Sequence, residues 1–524
     1  MNASAPIVAT DAIDVVELTI TEAQRGLAEG RFTSVSLTEA FLARIARYEP
    51  FYNAFTFMNP SALADAAAMD ARRAAGEVLG PLAGVPVVIK EAMDFVGLPS
   101  TGGWAGFHSA TGGVDLMPGT DAPVVARLKA AGAVILGKTN IPAFSHDGTR
   151  ANSSWDGPTY NAVDRSVAPG ASSSGTATAV SGSFAVAGLA EETGGSIQNP
   201  GAAQSLVSIK PTFALVPNTG VMPLAGSTRD VVGPHAKTVM DAAILLDVLA
   251  GYTSADPKTV ASIGMLPKGG YTSKLSPTAL KGARVGLYGK GWRTEPLWDE
   301  AQALYDAAIA EIAVRGAVLV DDPFVGTDFA SLSKKDLGFD PRGIESLVFD
   351  FENFLRRLGP GAVANSIAEL APLLPSDPFA ADGPLAVHLA DPVFRASIEN
   401  PALPPDLSAF HAAREAYLST FNAVMAEHDL DVLVFPQMSA AIPGVFDKAL
   451  YPETTVSEIN IAGLPGVTVP AGRFAGGSPF SLIFVGPMWS EASLLGYAYD
   501  YEQATHHRIV PVLEETIFRP SEAV

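Results

Sequence analysis

Short, continuously apolar segments recur along this 524-residue chain and constrain its fold more than any other feature. Each has the length of a strand rather than a helix, and helical segments lie between them. Strands that are apolar on both faces are typical of a mixed or parallel sheet covered on each side. The pattern predicts an α/β fold, a single α/β/α domain with a mixed β-sheet and helices on both faces. Its strands include 85–89, 133–136, 431–435 and 466–469.

Helix signals lie between these strands. Ser36-Leu-Thr-Glu39 matches a capping box, which predicts a helix that begins there and ends before Pro50. Residues 62–75 predict an alanine-rich helix ended by Gly76, and residues 124–131 predict another.

Residues 152–200 have a different character, because Gly, Ser, Ala and Thr dominate them. Small residues let backbones approach closely, and glycine adopts backbone angles that other residues resist. Such a segment forms either a flexible linker or a tightly packed core. The apolar stretch 184–189 favours the packed core.

Composition excludes several classes of function. A formal net charge of −21 argues against a nucleic-acid or anionic-membrane surface. The absence of cysteine removes disulfides, Cys-ligated metals and any cysteine nucleophile. No Lys or Arg precedes Arg25, and no uncharged apolar run is long enough for a membrane helix. We therefore expect a cytoplasmic protein without a signal peptide.

Three residues are candidates for nucleophilic catalysis. Lys90 ends an apolar strand, Ser172 lies in Pro169-Gly-Ala-Ser-Ser-Ser-Gly175, and Ser196 follows two glycines. A serine hydroxyl is a poor nucleophile until a base takes its proton, and a lysine can be that base where burial disfavours the charged amine. Backbone N–H groups at a glycine turn can stabilise an oxyanion. Taken singly, these residues also fit a lysine extending from a strand end, a helix-capping serine cluster and a simple turn.

Other motifs fail on their context. Gly132-Ala-Val-Ile-Leu-Gly-Lys-Thr139 fits the P-loop pattern, but its middle residues belong in a strand, whereas a phosphate cradle needs a loop. Ser331-Leu-Ser-Lys334 lacks the companion motifs of penicillin-binding enzymes and predicts only a solvated helix start. The eight histidines are scattered, so we expect no metal site and no cofactor.

Together the three candidates strongly resemble the amidase signature family. Its glycine-serine core typically reads Gly-Gly-Ser-Ser-Gly-Gly, followed by Thr-Asp-Thr-Gly-Gly-Ser-Ile-Arg-x-Pro. The matching stretches here are residues 170–175 and 191–200, and the two serines lie 24 residues apart, as in the family. Further matches occur at 81–90, 137–140, 209–212, 232–234, 462–465 and 501–505.

The resemblance implies a function and a set of roles. Ser196 would be the acyl-accepting nucleophile, Ser172 the bridging serine after a cis peptide bond, and Lys90 the base. Residues 193–195, together with Ser196, would line the oxyanion hole: Thr193, Gly194 and Gly195. The implied reaction is hydrolysis of a carboxylic amide, with esters and carbamates as side substrates.

Three departures from the family pattern cluster near the nucleophile. The usual Thr-Asp pair is Glu191-Glu192, and the usual Arg after Ser-Ile is Gln198. The Asp that usually follows the lysine is Glu91. An Arg can form an ion pair with the nearby carboxylate, whereas Gln198 can only hydrogen-bond to it. The departures concern the surroundings of the catalytic residues rather than the residues themselves.

The expected organisation is one amidase domain over 1–524. Residues 70–250 would form its catalytic core, 253–430 a helical elaboration that shapes the substrate pocket, and 431–510 a return to the core sheet. Residues expected to contact substrate are Ser173, Phe144, His146 and Trp155.

The expected partner is a small-molecule amide, with no nucleic acid or membrane and with a homodimer as one form of assembly. Two alternatives stay open: the A subunit of a glutamyl-tRNA amidotransferase, and a non-catalytic binding protein of the same fold.

Overall fold

Within residues 13–332 and 343–518, which the computed structural model describes, eleven strands form one mixed sheet. In chain order, β1 to β11 are Phe55–Met58, Pro86–Lys90, Val134–Thr139, Ala187–Glu192, Val207–Lys210, Val231–Ala236, Arg284–Leu287, Val318–Val320, Val432–Pro436, Gly466–Arg473 and Pro479–Val485. Across the sheet their order is β1-β3-β2-β4-β6-β5-β10-β11-β9-β7-β8.

The α-helices of the same described ranges, numbered α1 to α15, surround this sheet. They are Ile20–Ala28, Ser34–Tyr52, Ala62–Ala74, Pro123–Ala130, Ser174–Ser181, Gln198–Ala203, Val239–Leu249, Asp299–Val314, Phe329–Leu332, Leu347–Arg357, Ile367–Leu370, Pro392–Glu399, Ser408–Glu427, Val456–Ala462 and Glu491–Thr505.

Burial along the central strands shows that both faces of the sheet are covered. Every residue of β2, β3, β4, β6, β9 and β11 is buried. Since successive side chains of a strand point to opposite faces, unbroken burial requires cover on each side. The edge strands β1 and β8 are partly exposed. The predicted α/β fold is therefore confirmed.

Helix α5 shows why residues 152–200 are so rich in small side chains. All eight of its residues are buried, and a Cβ at Gly175 would lie 2.4 Å from the backbone oxygen of Ala54 and from the backbone nitrogen of Asn140. At Gly188 of β4, a Cβ would lie 2.7 Å from a methyl of Thr176. The segment is a packed core, because only small residues permit these approaches.

The predicted start and end of α2 are wrong. The helix spans Ser34–Tyr52, and its capping box joins Thr33 to Ser36. Pro50 lies inside the last turn. A proline there removes the donor that would serve the carbonyl of Ala46, but Ala46 is exposed, so water can satisfy that carbonyl. The helix ends instead at Asn53, which adopts the left-handed conformation at φ 49°.

The segment 253–430 is more than a helical elaboration, because it contains β7 and β8. These strands pair in parallel with each other, and β7 pairs in parallel with β9. They have four and three residues, too few to give an apolar pattern that stands out in the sequence. The expected helix start at 331–334 extends beyond the described residues, since α9 ends at Leu332.

Candidate active site

The site begins where β2 and β4 end side by side. The two strands are parallel, and Ile89 pairs with Leu189, so their carboxyl ends meet at the same edge of the sheet. Lys90, the last residue of β2, is fully buried. Its Nζ lies 2.6 Å from Oε2 of Glu191 and 3.0 Å from the carbonyl oxygen of the same residue. The strand register thus places a buried lysine against a buried carboxylate.

Ser172 lies on the other side of this lysine. Nζ of Lys90 donates a hydrogen bond of 2.7 Å to its Oγ. The peptide bond between Ala171 and Ser172 is cis, as the resemblance implied. The neighbouring serines are not a helix cap, since Ser173 makes no side-chain capping bond and the Ser174 hydroxyl donates to the carbonyl of Gly170. Of the three consecutive serines, Ser172 is thus the one whose hydroxyl contacts the lysine.

The segments that carry Ser172 and Ser196 pack directly on each other. The carbonyl of Gly148 accepts hydrogen bonds from the backbone of Ala171 and from the side chain of Asn199, each at 3.2 Å. A Cβ at Gly170 would lie 2.5 Å from Cα of Pro200. The structure therefore brings the two serine motifs together, although 24 residues separate their serines in sequence.

The turn that follows β4 presents Ser196. Gly195 has φ +91°, and a Cβ there would lie 2.6 Å from Nδ2 of Asn199, so only glycine fits. In the described part of the chain, no group accepts a hydrogen bond from the backbone N–H of Gly194 or Gly195. Thr193 and Ser196 are each 4 % exposed. Among the described residues, these two backbone donors thus have no acceptor, and they lie close to an almost enclosed hydroxyl.

The Glu192 carboxylate stabilises the turn by binding the residues that follow Ser196. Its carboxylate accepts hydrogen bonds from the backbone N–H groups of Ile197 and Gln198, from Nε2 of Gln198 at 2.5 Å and from Nδ2 of Asn460 at 2.6 Å. The side-chain oxygen of Gln198 in turn accepts from Thr455. A glutamine therefore takes the place of the family arginine by hydrogen bonding alone.

Asp230 and Asn460 belong to the site, and sequence reasoning did not find them. Asp230 accepts a hydrogen bond of 2.5 Å from the Thr193 hydroxyl and accepts others from the backbone of Leu224 and Ala225. The sequence feature that could have indicated Asp230 is its position just before residues 232–234, which match the family pattern. No local pattern marks Asn460, which comes from α14.

Burial sets the charge state of the groups around Lys90. Burial raises the pKa of Glu191 to about 7, opposed by the charge of Lys90 and reinforced by that of Asp230. Burial lowers the pKa of His235 to about 4, and its Nε2 lies 2.8 Å from the carbonyl oxygen of Ile197. Near neutral pH, Glu191 is thus a titrating group in direct contact with the lysine.

The residues expected to contact substrate lie in different surroundings. The Ser173 hydroxyl is buried and bonds to both the carbonyl and the N–H of Glu191. The Phe144 ring packs against Phe107, and the His146 ring lies 4.6 Å from that of His388. The Trp155 ring packs on His108 and Phe57, and its indole donates to Thr101.

Neither a membrane-spanning helix nor a cluster of metal ligands occurs among the described residues. None of their helices combines the length and the apolar character needed to cross a membrane. Nor do three metal-ligating side chains come together anywhere in those ranges.

Comparison with known proteins decides the family. The family model described as Amidase matches residues 36–333, more than half of the chain. The chain belongs to the amidase signature family. Its lysine and two serines lie inside the matched range.

Individual relatives of this amidase signature protein differ in what they do. The A subunit of the glutamyl-tRNA(Gln) amidotransferase of Thermosynechococcus vestitus is 31% identical over 496 residues, covering 93% of this chain and 98% of the relative. A probable amidase of Arabidopsis thaliana is 28% identical over 506 residues, with 95% and 92% covered. The crystal structure of the peptide amidase of Stenotrophomonas maltophilia matches at a TM-score of 0.77 and 30% identity, with 95% and 99% covered.

Proposed function

We propose that this chain is an amidohydrolase that cleaves the C–N bond of a carboxylic amide through an acyl-enzyme on Ser196. The observation that carries the proposal is the contact between Nζ of Lys90 and Oγ of Ser172, made beside the packed segment that bears Ser196. Membership of the amidase family supports a hydrolase that acts on carbon–nitrogen bonds.

The proposed reaction moves one proton along a short path. Ser196 attacks the amide carbonyl while its proton passes to Ser172 and then to Lys90. The same proton returns through Ser172 to the leaving amine as the C–N bond breaks. Water then hydrolyses the acyl-enzyme by the same path and frees the acid.

The turn 193–196 is the proposed oxyanion hole. Donors that are already oriented and unpaired stabilise a developing negative charge without reorganisation. In support, no described residue accepts a hydrogen bond from the backbone N–H groups of Gly194 and Gly195. The hydrogen bond from the Thr193 hydroxyl to Asp230 holds the start of the turn in place.

The segment 253–430 is the proposed source of substrate selectivity. Helix α10 packs on the loop that precedes Asp230, where the Asp350 carboxylate accepts two hydrogen bonds from Ser227. A cavity of about 870 Å³ lies between them, lined in part by Asn218, Asn353 and Phe354. On the core side, Phe144 joins Phe107, and Phe107 stacks on Phe351 of α10. His146 and Trp155 remain proposed substrate contacts.

The A subunit of a glutamyl-tRNA amidotransferase is the second candidate. The 31% identity to such a protein over nearly its whole length favours it. Gln198 favours the hydrolase instead, because the amidotransferase protein usually keeps an Arg at this position. Amide hydrolysis by the isolated chain, without a partner protein, would separate the two.

The first experiment is an activity screen of the purified chain on aliphatic amides, anilides, peptide amides, carbamates, aryl esters and glutamine. We expect turnover of at least one amide and labelling of Ser196 by a serine-directed phosphonate, located by mass spectrometry. Turnover of glutamine alone would support the amidotransferase role. An unlabelled Ser196 with no turnover of any substrate would support a non-catalytic protein.

Variants of two buried serines provide the control for this screen. Ser196→Ala should lose amide turnover and phosphonate labelling. Ser181→Ala removes a hydroxyl of α5 that donates only to the carbonyl of Gln204, so it should keep both. Gel filtration of the same samples would show whether the chain is a monomer or the expected homodimer.

A further inference from the structure

The amine of Lys90 has an acceptor for each of its possible protons. Its Nζ lies 2.7 Å from Oγ of Ser172, 3.0 Å from the carbonyl oxygen of Glu191 and 2.6 Å from Oε2 of Glu191. A charged amine has three protons and no lone pair, so in that form it cannot accept the proton of Ser172. The site therefore needs a place to which one of these protons can move.

Glu191 is the nearest such place. Its carboxylate and the Lys90 amine are both buried, with side-chain exposures of 2% and 0%. The other carboxylate oxygen lies 3.3 Å from the Thr193 hydroxyl. The family has threonine at this position, and a threonine hydroxyl at that position could not take up a proton at neutral pH.

The other charged groups around this pair leave Glu191 as the group that titrates near neutral pH. Asp230 approaches through the Thr193 hydroxyl and raises the pKa of Glu191, which burial brings to about 7. His235 on β6 stays neutral above pH 4 or so, because burial lowers its pKa to about 4. On β3, Lys138 lies 3.7 Å from Glu91 and donates to Pro99 and Ser100. From the residues just before α5, the hydroxyl of Ser172 contacts Lys90 and that of Ser173 contacts Glu191.

Glu192 and Arg229 are further charged groups at this turn. The Glu192 carboxylate is bound by Gln198 and Asn460. Arg229 lies beside Gly194, where a Cβ would be 3.8 Å from its Nη2.

We propose that Glu191 is a positioning residue that forms a two-site base with Lys90, so that the ion pair, and not a neutral lysine alone, accepts the proton of Ser172. The inference rests on the proposed amidohydrolase. In the resting pair, Lys90 is charged and Glu191 is ionised. As the Ser172 proton reaches Nζ, another Nζ proton moves to Oε2 of Glu191.

Atoms and charges balance along this path. The Ser196 oxygen forms a bond to the carbonyl carbon, the carbonyl oxygen takes the electron pair, and the Ser196 proton replaces the one that Ser172 gives to Lys90. The pair gains one proton and one positive charge, which offsets the oxyanion. On collapse, Glu191 returns its proton to Lys90, Lys90 donates to Ser172, and Ser172 donates to the leaving nitrogen.

The test is the pH dependence of Ser196 labelling by the phosphonate, measured beside kcat/KM for the best amide found. The parent should lose reactivity below about pH 7, because a pair that already holds the extra proton cannot accept another. Glu191→Gln and Glu191→Thr leave an amine as the only base, whose ordinary pKa lies near 10.4. The acid limb of the pH profile is the range in which the rate falls as the pH decreases. We expect this limb to move up by at least about one pH unit and the rate at pH 7 to fall at least about tenfold.

Two further variants separate a proton role from a structural one. Glu191→Asp keeps the carboxylate and should restore the parent's limb at a lower rate. Glu491→Gln removes another buried carboxylate, which accepts from the backbone of Thr212 and does not touch Lys90, so its limb should stay in place. Should Glu191→Gln fail to fold, Glu191→Thr carries the same test.

The outcomes distinguish this inference from the function on which it rests. A parent that is labelled and active, with Glu191→Gln or Glu191→Thr keeping its pH profile, would overturn the role of Glu191 alone. A parent that is neither labelled nor active would overturn the amidohydrolase itself. Loss of activity in both variants without movement of the limb would assign Glu191 a purely structural role and equally overturn the inference.

Discussion

The catalytic core around β2, β4 and α5 and the elaboration around α10 are held by different kinds of contact. In the core, small residues bring backbones together, and polar groups such as Lys90 and Glu192 are fully enclosed. Helix α10 is attached instead by individual polar bonds and ring contacts, such as Arg357 to Asp94 at 2.6 Å and Phe351 on Phe107. In the core, the strand register fixes the positions of the candidate reacting groups. The contacts of α10, by contrast, can be changed one side chain at a time.

The largest effect should come from Lys90→Ala, because it removes both the proposed base and the partner of a buried carboxylate. Amide turnover should fall at least about a thousandfold. At high pH, where Glu191 would be charged and unpaired, stability should fall by about 3–5 kcal/mol. Without the lysine, the pKa of Glu191 rises further above its unfolded value, so the variant should be more stable at pH 5 than at pH 8. Kinetics and thermal unfolding at both pH values check this, and an equal stability loss at both would contradict it.

Arg357→Met tests how α10 is attached. The Arg357 side chain also donates to the carbonyl of Asp121, and Asp94 is fully buried. Burial already raises the pKa of Asp94 to about 7, so removing the cation should cost about 3–5 kcal/mol above that pH, where the carboxylate would be charged and unpaired, and less at lower pH. The matched control is Arg31→Met, which breaks an exposed pair with Glu29 and should cost less than about 1 kcal/mol. Urea unfolding of both variants measures the contrast, and similar losses would show that α10 does not depend on this pair.

Gln198→Arg tests the repacked surroundings of the nucleophile. Glu192 already accepts four hydrogen bonds, and Gln198 is fully buried, so a longer charged side chain must displace one of these donors. We expect a loss of about 1–3 kcal/mol in stability together with slower turnover. An unchanged melting temperature and rate would show that the site still accommodates the family arginine.

The smallest effect concerns selectivity. Asn353→Trp should fill part of the 870 Å³ cavity beside α10 and raise KM for a large anilide about tenfold, or about 1.4 kcal/mol, with little change for a small aliphatic amide. Ala68→Trp fills a separate cavity of about 350 Å³ near β1 and is the control. Equal changes for both amides, or equal effects of both variants, would place the substrate elsewhere.

Much of the core could be predicted from the sequence. Strands that are buried on both faces have an unbroken apolar pattern, so the segments around Val87, Leu136 and Phe435 were found within a few residues. The small-residue segment could be recognised as packed core because it includes the apolar residues of 184–189. The end of α2 was missed, because water can satisfy the carbonyl that Pro50 leaves without a donor.

Contacts between distant segments could not be predicted. Asn460 reaches Glu192 across 268 residues, and Arg357 reaches Asp94 across 263. Each is a single polar side chain with no periodic pattern around it. The strands β7 and β8 were missed for a related reason, since a strand of three or four residues at a sheet edge has little apolar pattern to detect.

The sequence by itself determined several of the central strands, the packed glycine-serine core and the lysine and two serines that are proposed to carry acyl transfer. Only the tertiary structure decided which of two adjacent glutamates meets the lysine. Side chains alternate along a strand, so Glu191 faces Lys90 while Glu192 turns to Gln198 and Asn460. A shift of one residue in the register of β4 against β2 would exchange the two carboxylates. The charge beside the proposed base therefore depends on strand pairing, which no local stretch of sequence encodes.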